Sequence, residues 1–178
     1  DMLLIKDAER GIAIAGVMGG LNSEIEEDTK TIIVESANFA GSSVRTTSKK
    51  LGLRTEASAR FEKGIDPNLC EAAADRVCRL IELTGAGKVC KGSVDNYPVP
   101  EEAKTIDIRV DRINRVLGIE LERQEMVDIL ESLEIKVAGS GNIMTVTPPT
   151  IRQDLLEEED YIEEVARIYG YDKMPVTL

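Results

Sequence analysis

A proline-rich segment near the middle of the chain, Tyr97-Pro98-Val99-Pro100-Glu101-Glu102, most constrains the fold. Two prolines at a spacing of two favour an extended linker, because each ring fixes its own φ and disfavours helix in the residue before it. The residue pattern also changes at this point. A length of 178 residues accommodates one large domain or two small ones. The linker favours two, which we expect over 1–98 and 99–178.

The composition allows packed cores but excludes several kinds of site. Hydrophobic residues make up 42% of the chain and aromatic residues 3%, without tryptophan, so the cores must be aliphatic. A net charge of -11 argues against autonomous binding to nucleic-acid backbone, although residues 45–60 are locally basic. The absence of histidine rules out histidine general bases and histidine metal ligands.

The cysteines and the chain start bear on the cellular context. Cys70, Cys78 and Cys90 form no CxxC pair, and an odd number at wide spacing fits reduced intracellular thiols better than disulfides or zinc. No signal peptide and no apolar run long enough to cross a membrane is present, so we expect a cytoplasmic protein. Because the first residue is Asp1 rather than methionine, we expect the chain to be a piece of a longer protein.

The first domain is predicted to combine three strands with two helices. We expect strands over three apolar runs, 11–15, 31–36 and 89–94. The first strand enters the glycine turn GVMGG, where glycine permits the positive φ that a turn needs. The expected start and stop residues of the helices are Ser42 or Ser43 with Gly52, and Asp66-Pro67 with Gly85.

The second domain is predicted to follow the order strand, helix, helix, hairpin, helix. Residues 105–110 alternate as a half-buried strand does, and Asp111 is expected to cap a helix that Gly118 closes. The remaining expected elements are a helix over 122–133, a hairpin that turns at 139–142, and a last helix ending at Tyr169. This order resembles a winged-helix or helix-turn-helix module, and the fold class is α+β.

The glycine turn and Glu35 are the first candidates for a site. The turn lacks the spacing of a Rossmann fingerprint and the lysine of a Walker loop, so a plain tight turn is an equal alternative. Glu35 ends an apolar strand, where a carboxylate is costly to bury unless it is paired. The alternative is that the strand has ended and Glu35 is solvated.

A group of five basic residues is the second candidate. Arg45, Lys49, Lys50, Arg54 and Arg60 lie in a chain that is otherwise acidic. Gathered around the glycine turn and a carboxylate, they could hold phosphate or sugar; the alternative is a solvated face. Hydroxyls lie among them, but without a histidine or an acid partner none has a nucleophile's triad.

The acidic residues between 154 and 164 are the third candidate for a site. Asp160, Glu163 and Glu164 are spaced i, i+3 and i+4, which places them on one helix surface. Oxygen ligands of this kind suit Mg²⁺. The alternative is that these acids complement the helix dipole.

Three long segments carry a resemblance to a known family. GVMGGLNSEI, IIVESANFAGSSVRTTSKKLGLRTEASARFEKGIDP and DLLEEEDYIEEVARIYGYDKMP closely resemble the beta subunits of bacterial phenylalanine–tRNA ligases, and they occur here in the same order. The resemblance implies that residues 1–98 are the C-terminal part of a tRNA editing domain and that 99–178 are a winged-helix-like domain. The whole enzyme it implies is an α₂β₂ tetramer that joins phenylalanine to its tRNA with ATP and Mg²⁺.

The resemblance also implies roles for individual residues. It places Gly19, Glu35, Thr55 and Ala57 in a pocket where tyrosine mischarged onto the tRNA is hydrolysed. The five cations would then contact tRNA. The expected ligands of a Mg²⁺ shared with the alpha subunit are Asp154, Asp160, Glu163 and Glu164. ATP is expected to bind elsewhere in the whole enzyme.

The resemblance also predicts a limit, and alternatives to it remain. The family pocket uses a histidine and other groups that this chain lacks, so we expect the chain alone to be inactive in hydrolysis. One alternative function is a nucleic-acid-binding winged helix, although its recognition helix would be acidic. The other is a scaffold in which the acidic helix makes a subunit contact.

Overall fold

A computed structural model describes residues 2–175 and shows a mixed α+β protein. Those residues contain six α-helices and two three-stranded antiparallel sheets. The backbone contacts divide the chain into two compact units, the first ending at Pro100 and the second beginning at Glu101. Within residues 2–175, no helix is long and apolar enough to cross a membrane.

The sheet of the first unit is built around the glycine turn. Its strands β1, β2 and β3, in that order across the sheet, are Leu4–Lys6, Gly11–Ile14 and Met18–Gly19. Gly16 lies in the turn between β2 and β3 with a φ of 67°, as the sequence predicts. The turn brings Gly19 opposite Ala13 in the ladder.

Three helices follow in the first unit: α1 over Gly41–Leu51, α2 over Glu56–Phe61 and α3 over Cys70–Leu83. The predicted stop at Gly52 is confirmed by its left-handed conformation, with a φ of 65°. The predicted start at Asp66-Pro67 is also confirmed. The Asp66 side chain accepts the N–H of Asn68, and a single 3₁₀ turn over Pro67–Leu69 leads into α3.

The predicted cap of α1 at Ser42 or Ser43 is wrong. The helix begins at Gly41 with Ala40 at the N-cap and no side-chain bond to its first turn. A Cβ on Gly41 would lie 2.8 Å from the carbonyl oxygen of Phe61. The start of α1 therefore lies very close to the backbone at the end of α2. Only glycine permits this approach, so the helix begins at Gly41, one residue before Ser42.

Two predicted strands of the first unit, 31–36 and 89–94, are also wrong. Both runs lack regular structure, and neither pairs with another strand in the described part of the chain. The Ile33 side chain is 95% exposed, and Val94 is fully exposed. An apolar run becomes a strand only where a neighbouring backbone completes its ladder, and residues 2–175 supply none here.

The second unit follows the predicted order of elements. Its elements, in chain order, are β4 (Ile106–Arg109), α4 (Val110–Leu117), α5 (Arg123–Ser132), β5 (Lys136–Ala138), β6 (Ile143–Thr147) and α6 (Glu158–Tyr169). β6 is the central strand, because β4 and β5 both pair with it in antiparallel register. Gly118 closes α4 in the left-handed conformation, with a φ of 67°.

The prediction that the Asp111 side chain caps α4 is wrong. The backbone N–H of Asp111 donates to Oδ1 of Asn142 at 2.9 Å, and Nδ2 of Asn142 donates to the Asp111 carboxylate at 2.7 Å. The hairpin turn therefore satisfies the start of α4. This side-chain bond holds the pKa of Asp111 below its usual value.

The hydrophobic core of the second unit is mainly aliphatic, as the composition predicts. Its fully buried side chains come from every strand and helix except β5; they include Ile108, Ile113, Met126, Leu130, Met144, Val146, Tyr161 and Val165. Burial raises the pKa of Tyr161 to about 12. The first unit buries far less: its buried hydrophobic residues are Ala15, Val17 and Val44.

Candidate functional site

The first unit contains a cavity of about 480 Å³ between the glycine turn and the start of α3. Most of its walls are aliphatic or aromatic, including Phe39 and Phe61. The polar side chains on the walls are few: Glu35, Ser36 and Asp66. Of the four predicted pocket residues, Gly19, Glu35 and Ala57 line this cavity. An apolar chamber with a few polar groups is typical of a small-molecule site.

The three glycines around the β2–β3 turn differ in why glycine is needed. A Cβ on Gly16 would lie 2.9 Å from the Val44 side chain, and one on Gly20 would lie 2.7 Å from the Ile12 carbonyl oxygen. A Cβ on Gly19 would meet nothing within 4 Å, and its φ is not positive. Packing and backbone conformation therefore do not require glycine at 19, and a side chain there would occupy open space beside the cavity.

Glu35 belongs to an irregular segment that side chains hold in place. The Asn38 amide donates to the carbonyl oxygen of Ile65, and the Phe39 and Phe61 rings lie 5.1 Å apart between centroids. Glu35 itself is exposed while lining the cavity. Its carboxylate is therefore hydrated, and burial does not force it to pair within the chain.

Thr55 does not line the cavity but fastens its wall. Its hydroxyl donates to the Val17 carbonyl oxygen at 2.7 Å and accepts the N–H of Ser58 at 3.1 Å. Ser58 completes the capping box by accepting the N–H of Thr55 at 2.9 Å. Thr55 therefore fixes the glycine turn to the start of α2, and its role as pocket wall stays a prediction.

Among the cavity residues that sequence reasoning missed are Ser36, Asp66 and Cys70, which carry polar or thiol groups. Asp66 is only 5% exposed, and its role as helix cap, which the Asp-Pro pair predicts, gave no sign that it also lines a cavity. Cys70 lies on the first turn of α3, and burial raises the pKa of its thiol. A raised pKa keeps the thiol protonated at neutral pH, so Cys70 is a poor nucleophile.

The five predicted cations divide into two sets. Arg54 pairs with Glu62 at 3.6 Å, and Arg60 pairs with Glu56 at 3.5 Å. The other three, Arg45, Lys49 and Lys50, lie on α1 around a second, open cavity of about 860 Å³.

The predicted magnesium ligands do not gather in this structure. Asp154 bonds to Arg152 at 2.6 Å, while Glu164 bonds to Arg152 at 3.1 Å and to Arg167 at 2.5 Å. Asp160 accepts the backbone N–H groups of residues 156 and 157, and Glu163 is exposed.

No group of three acidic or thiol side chains in residues 2–175 is placed to hold a metal ion. The four carboxylates therefore do not fit a magnesium ion in this arrangement. A site shared with a second subunit stays a prediction.

Arg152 joins the loop before α6 to the helix itself, so its loss is expected to destabilise the second unit. The Arg152 and Glu164 side chains are 25% and 11% exposed, which is between a surface pair and a buried pair. We expect Arg152→Gln to lower the free energy of unfolding by about 2 kcal/mol near neutral pH. Arg79→Gln, which breaks an exposed pair with Glu82, is the matched control and should cost less than about 0.5 kcal/mol.

The effect of Arg152→Gln should depend on pH with a definite sign. The Arg152 hydrogen bond lowers the pKa of Asp154; for Glu164, burial raises the pKa but the bonds from Arg167 and Arg152 outweigh it. Carboxylates with lowered folded pKa values stabilise above their unfolded values of 3.8 and 4.5, and this stability is lost as pH falls through the folded pKa. Urea unfolding at pH 7 and pH 3 should show the difference shrinking, and a constant difference would contradict this account.

Two family models match the two units. A B3/4 domain matches residues 1–85, and a tRNA synthetase B5 domain matches residues 106–171. Similar proteins include phenylalanine–tRNA ligase beta subunits from Clostridium tetani, 48% identical over 99% of this chain, and from Bacillus subtilis, 46% identical over 100%. The chain spans 22% of the length of each of these relatives.

A solved N-terminal fragment of the phenylalanyl-tRNA synthetase beta subunit from Pyrococcus horikoshii is 29% identical. The match covers 39% of this chain and 20% of that one, with a TM-score of 0.37, which is too low to support an inference about fold. The two domain matches and the high identity over the whole chain agree with each other. The chain belongs to the phenylalanine–tRNA ligase beta-subunit family and carries B3/4 and B5 domains.

Proposed function

We propose that the chain is part of a ligase that attaches phenylalanine to its tRNA with ATP, and that its first unit contributes to a site hydrolysing Tyr-tRNA. The names of its relatives support the ligase. The cavity lined by Gly19, Glu35 and Ala57 supports the hydrolytic site. The observation that carries the proposal is the open space beside Gly19 in a cavity that Glu35 and Ala57 also line.

The cavity suits a phenol better than a charged or a purely apolar side chain. Its aromatic and aliphatic walls accept the ring, and a volume of about 480 Å³ holds a tyrosine side chain with part of the attached ribose. The Glu35 carboxylate is an acceptor that a phenol hydroxyl can satisfy. Phenylalanine would exclude water from the Glu35 carboxylate but has no hydroxyl to donate to it, so it binds less well.

The hydrolytic step is proposed to rest on water and on the substrate. The chain has no histidine, the Thr55 hydroxyl is engaged with Val17, and the Cys70 thiol is protonated. A water molecule would attack the ester carbonyl, and the bond to the terminal ribose would break, giving tyrosine and tRNA with a free hydroxyl. The chain's residues orient the ester and the side chain for that attack.

The second unit is proposed to contact the alpha subunit of an α₂β₂ ligase. A magnesium ion shared with that subunit would need Asp154 and Glu164 to leave the arginines that they bond to in this structure. Its order of strand, helix, helix, hairpin and helix supports a winged-helix-like classification. Direct DNA reading is not proposed, because α5 carries Glu125, Asp128 and Glu131, which repel phosphate.

Filling the space beside Gly19 is the test of the hydrolytic site. In the intact ligase, we expect Gly19→Val to lower the rate of Tyr-tRNA hydrolysis at least about 10-fold while phenylalanine attachment is unchanged. Gly11→Val in the same sheet is the matched control, because a Cβ there meets only the Leu4 side chain at 3.6 Å. Equal hydrolysis by the Gly19 variant, the control and the unaltered enzyme would overturn the proposal.

A further inference from the structure

Helix α1 has one buried side and one exposed side, and the exposed side is cationic. Val44, Thr47 and Ser48 are buried. The exposed side carries the residues that line the second cavity, Ser42, Arg45, Thr46, Lys49 and Lys50. Their spacing of three and four residues stacks them along one face of the helix. We call these five residues the α1 cationic face.

The cations of this face lack the ion pairs that the neighbouring cations have. Among residues 2–175, Arg54 and Arg60 each pair with a glutamate, whereas Arg45, Lys49 and Lys50 take part in no ion pair. The one acid lining the same cavity is Glu62, which pairs with Arg54. The face therefore keeps its positive charge on a chain whose net charge is -11.

The helix dipole explains only part of this arrangement. Lys49 and Lys50 lie in the last turn, where cations stabilise a helix. Arg45 lies in the middle of α1, and with Lys49 it forms a like-charged i, i+4 pair that costs a few tenths of a kcal/mol. An anion bound between them removes this cost, and the hydroxyls of Ser42 and Thr46 add donors for its oxygen atoms.

The buried side of α1 packs against the glycine turn that lines the cavity containing Glu35. Val44 packs against Gly16, which lines that cavity, and a Cβ added to Gly16 would lie 2.9 Å from the Val44 side chain. The cationic face and the cavity are therefore separated by about one helix diameter, ~10 Å. At that distance, the backbone of a strand whose end lies in the cavity can reach the face.

We infer that the α1 cationic face binds backbone phosphates of the RNA strand whose end enters the Glu35 cavity, and that Arg54 and Arg60 do not take part. The inference rests on the proposed function for its choice of RNA as the anion. It narrows five candidate cations to three, on the ground that the other two are already paired with glutamates.

The test is salt-dependent binding of this chain to an RNA hairpin with the acceptor stem of a phenylalanine tRNA and a single-stranded 3′ end. Each phosphate contact contributes about 0.7–0.9 to the slope of log affinity against log salt. The triple variant Arg45→Ala, Lys49→Ala, Lys50→Ala should lower that slope by about 2 and weaken binding roughly 100-fold at 0.1 M salt. The matched double variant Arg54→Ala, Arg60→Ala should leave both unchanged.

Two outcomes would overturn the inference: an unchanged slope in the triple variant, or an equal loss in the double variant. Hydrolysis of Tyr-tRNA by the unaltered intact ligase is measured separately. If that hydrolysis is absent while the triple variant still loses RNA binding, the proposed function fails and the phosphate-binding face stands.

Discussion

Replacing Glu35 by alanine in the intact ligase is expected to lower the preference for hydrolysing Tyr-tRNA over Phe-tRNA by about 100-fold. A hydrogen bond between the tyrosine hydroxyl and a carboxylate contributes up to about 3 kcal/mol, and phenylalanine cannot make it. Glu35 is exposed in the free chain, so alanine removes this recognition without leaving a buried polar group unpaired. The measurement is the pair of first-order hydrolysis rates on separately charged tRNAs.

The control for this prediction is Glu24→Ala, at an exposed glutamate that does not line the Glu35 cavity. It should leave the ratio of the two rates unchanged. Gly19→Val should lower hydrolysis of Tyr-tRNA by filling space, whereas Glu35→Ala should lower mainly the preference for tyrosine. If Glu35→Ala kept the full preference for tyrosine, the discriminating role of this carboxylate would be excluded.

Replacing Ile108 by alanine is expected to lower the free energy of unfolding of the second unit by about 3–4 kcal/mol. Ile108 is 0% exposed in β4, opposite Met144 of the central strand, and belongs to the buried hydrophobic cluster of this unit. Truncating it removes buried methyl groups and leaves a cavity that rigid strands cannot close. Three of the four tyrosines, at 161, 169 and 171, lie in the second unit, so tyrosine fluorescence during urea unfolding reports mainly on it.

Leu80→Ala in α3 is the matched control for Ile108→Ala. The Leu80 side chain is 43% exposed, and α3 has no buried residue, so truncation there should change stability by no more than about 0.5 kcal/mol. Equal losses at the two positions would contradict the finding that the second unit has a closed core and α3 does not.

The second unit was predictable from sequence because its own residues complete its structure. The alternation at 106–109, the glycine stop at 118 and the turn at 139–142 each act locally, and all agree with the fold. The first unit was predicted less well. Ile32, Ile33 and Val34 have strand-forming side chains, but a strand also needs a paired backbone, which periodicity does not reveal.

The candidate site was predictable only in part, for similar reasons. The resemblance named Gly19, Glu35 and Ala57, which line one cavity although they are separated by up to 38 positions in the sequence. Cys70 was missed because nothing in the spacing of a lone cysteine indicates which cavity it faces. The ion pairs of Arg152 were missed because helical spacing places acids on one surface but does not show a cation arriving from a loop.

The most direct test of the account is a structure of the intact ligase bound to a non-hydrolysable 3′-amide analogue of tyrosyl-adenosine. The account predicts the tyrosine ring in the cavity lined by Phe39 and Phe61, with its hydroxyl donating to the Glu35 carboxylate and its backbone beside Gly19. An analogue bound away from this cavity, or one whose hydroxyl points away from Glu35, would contradict the account.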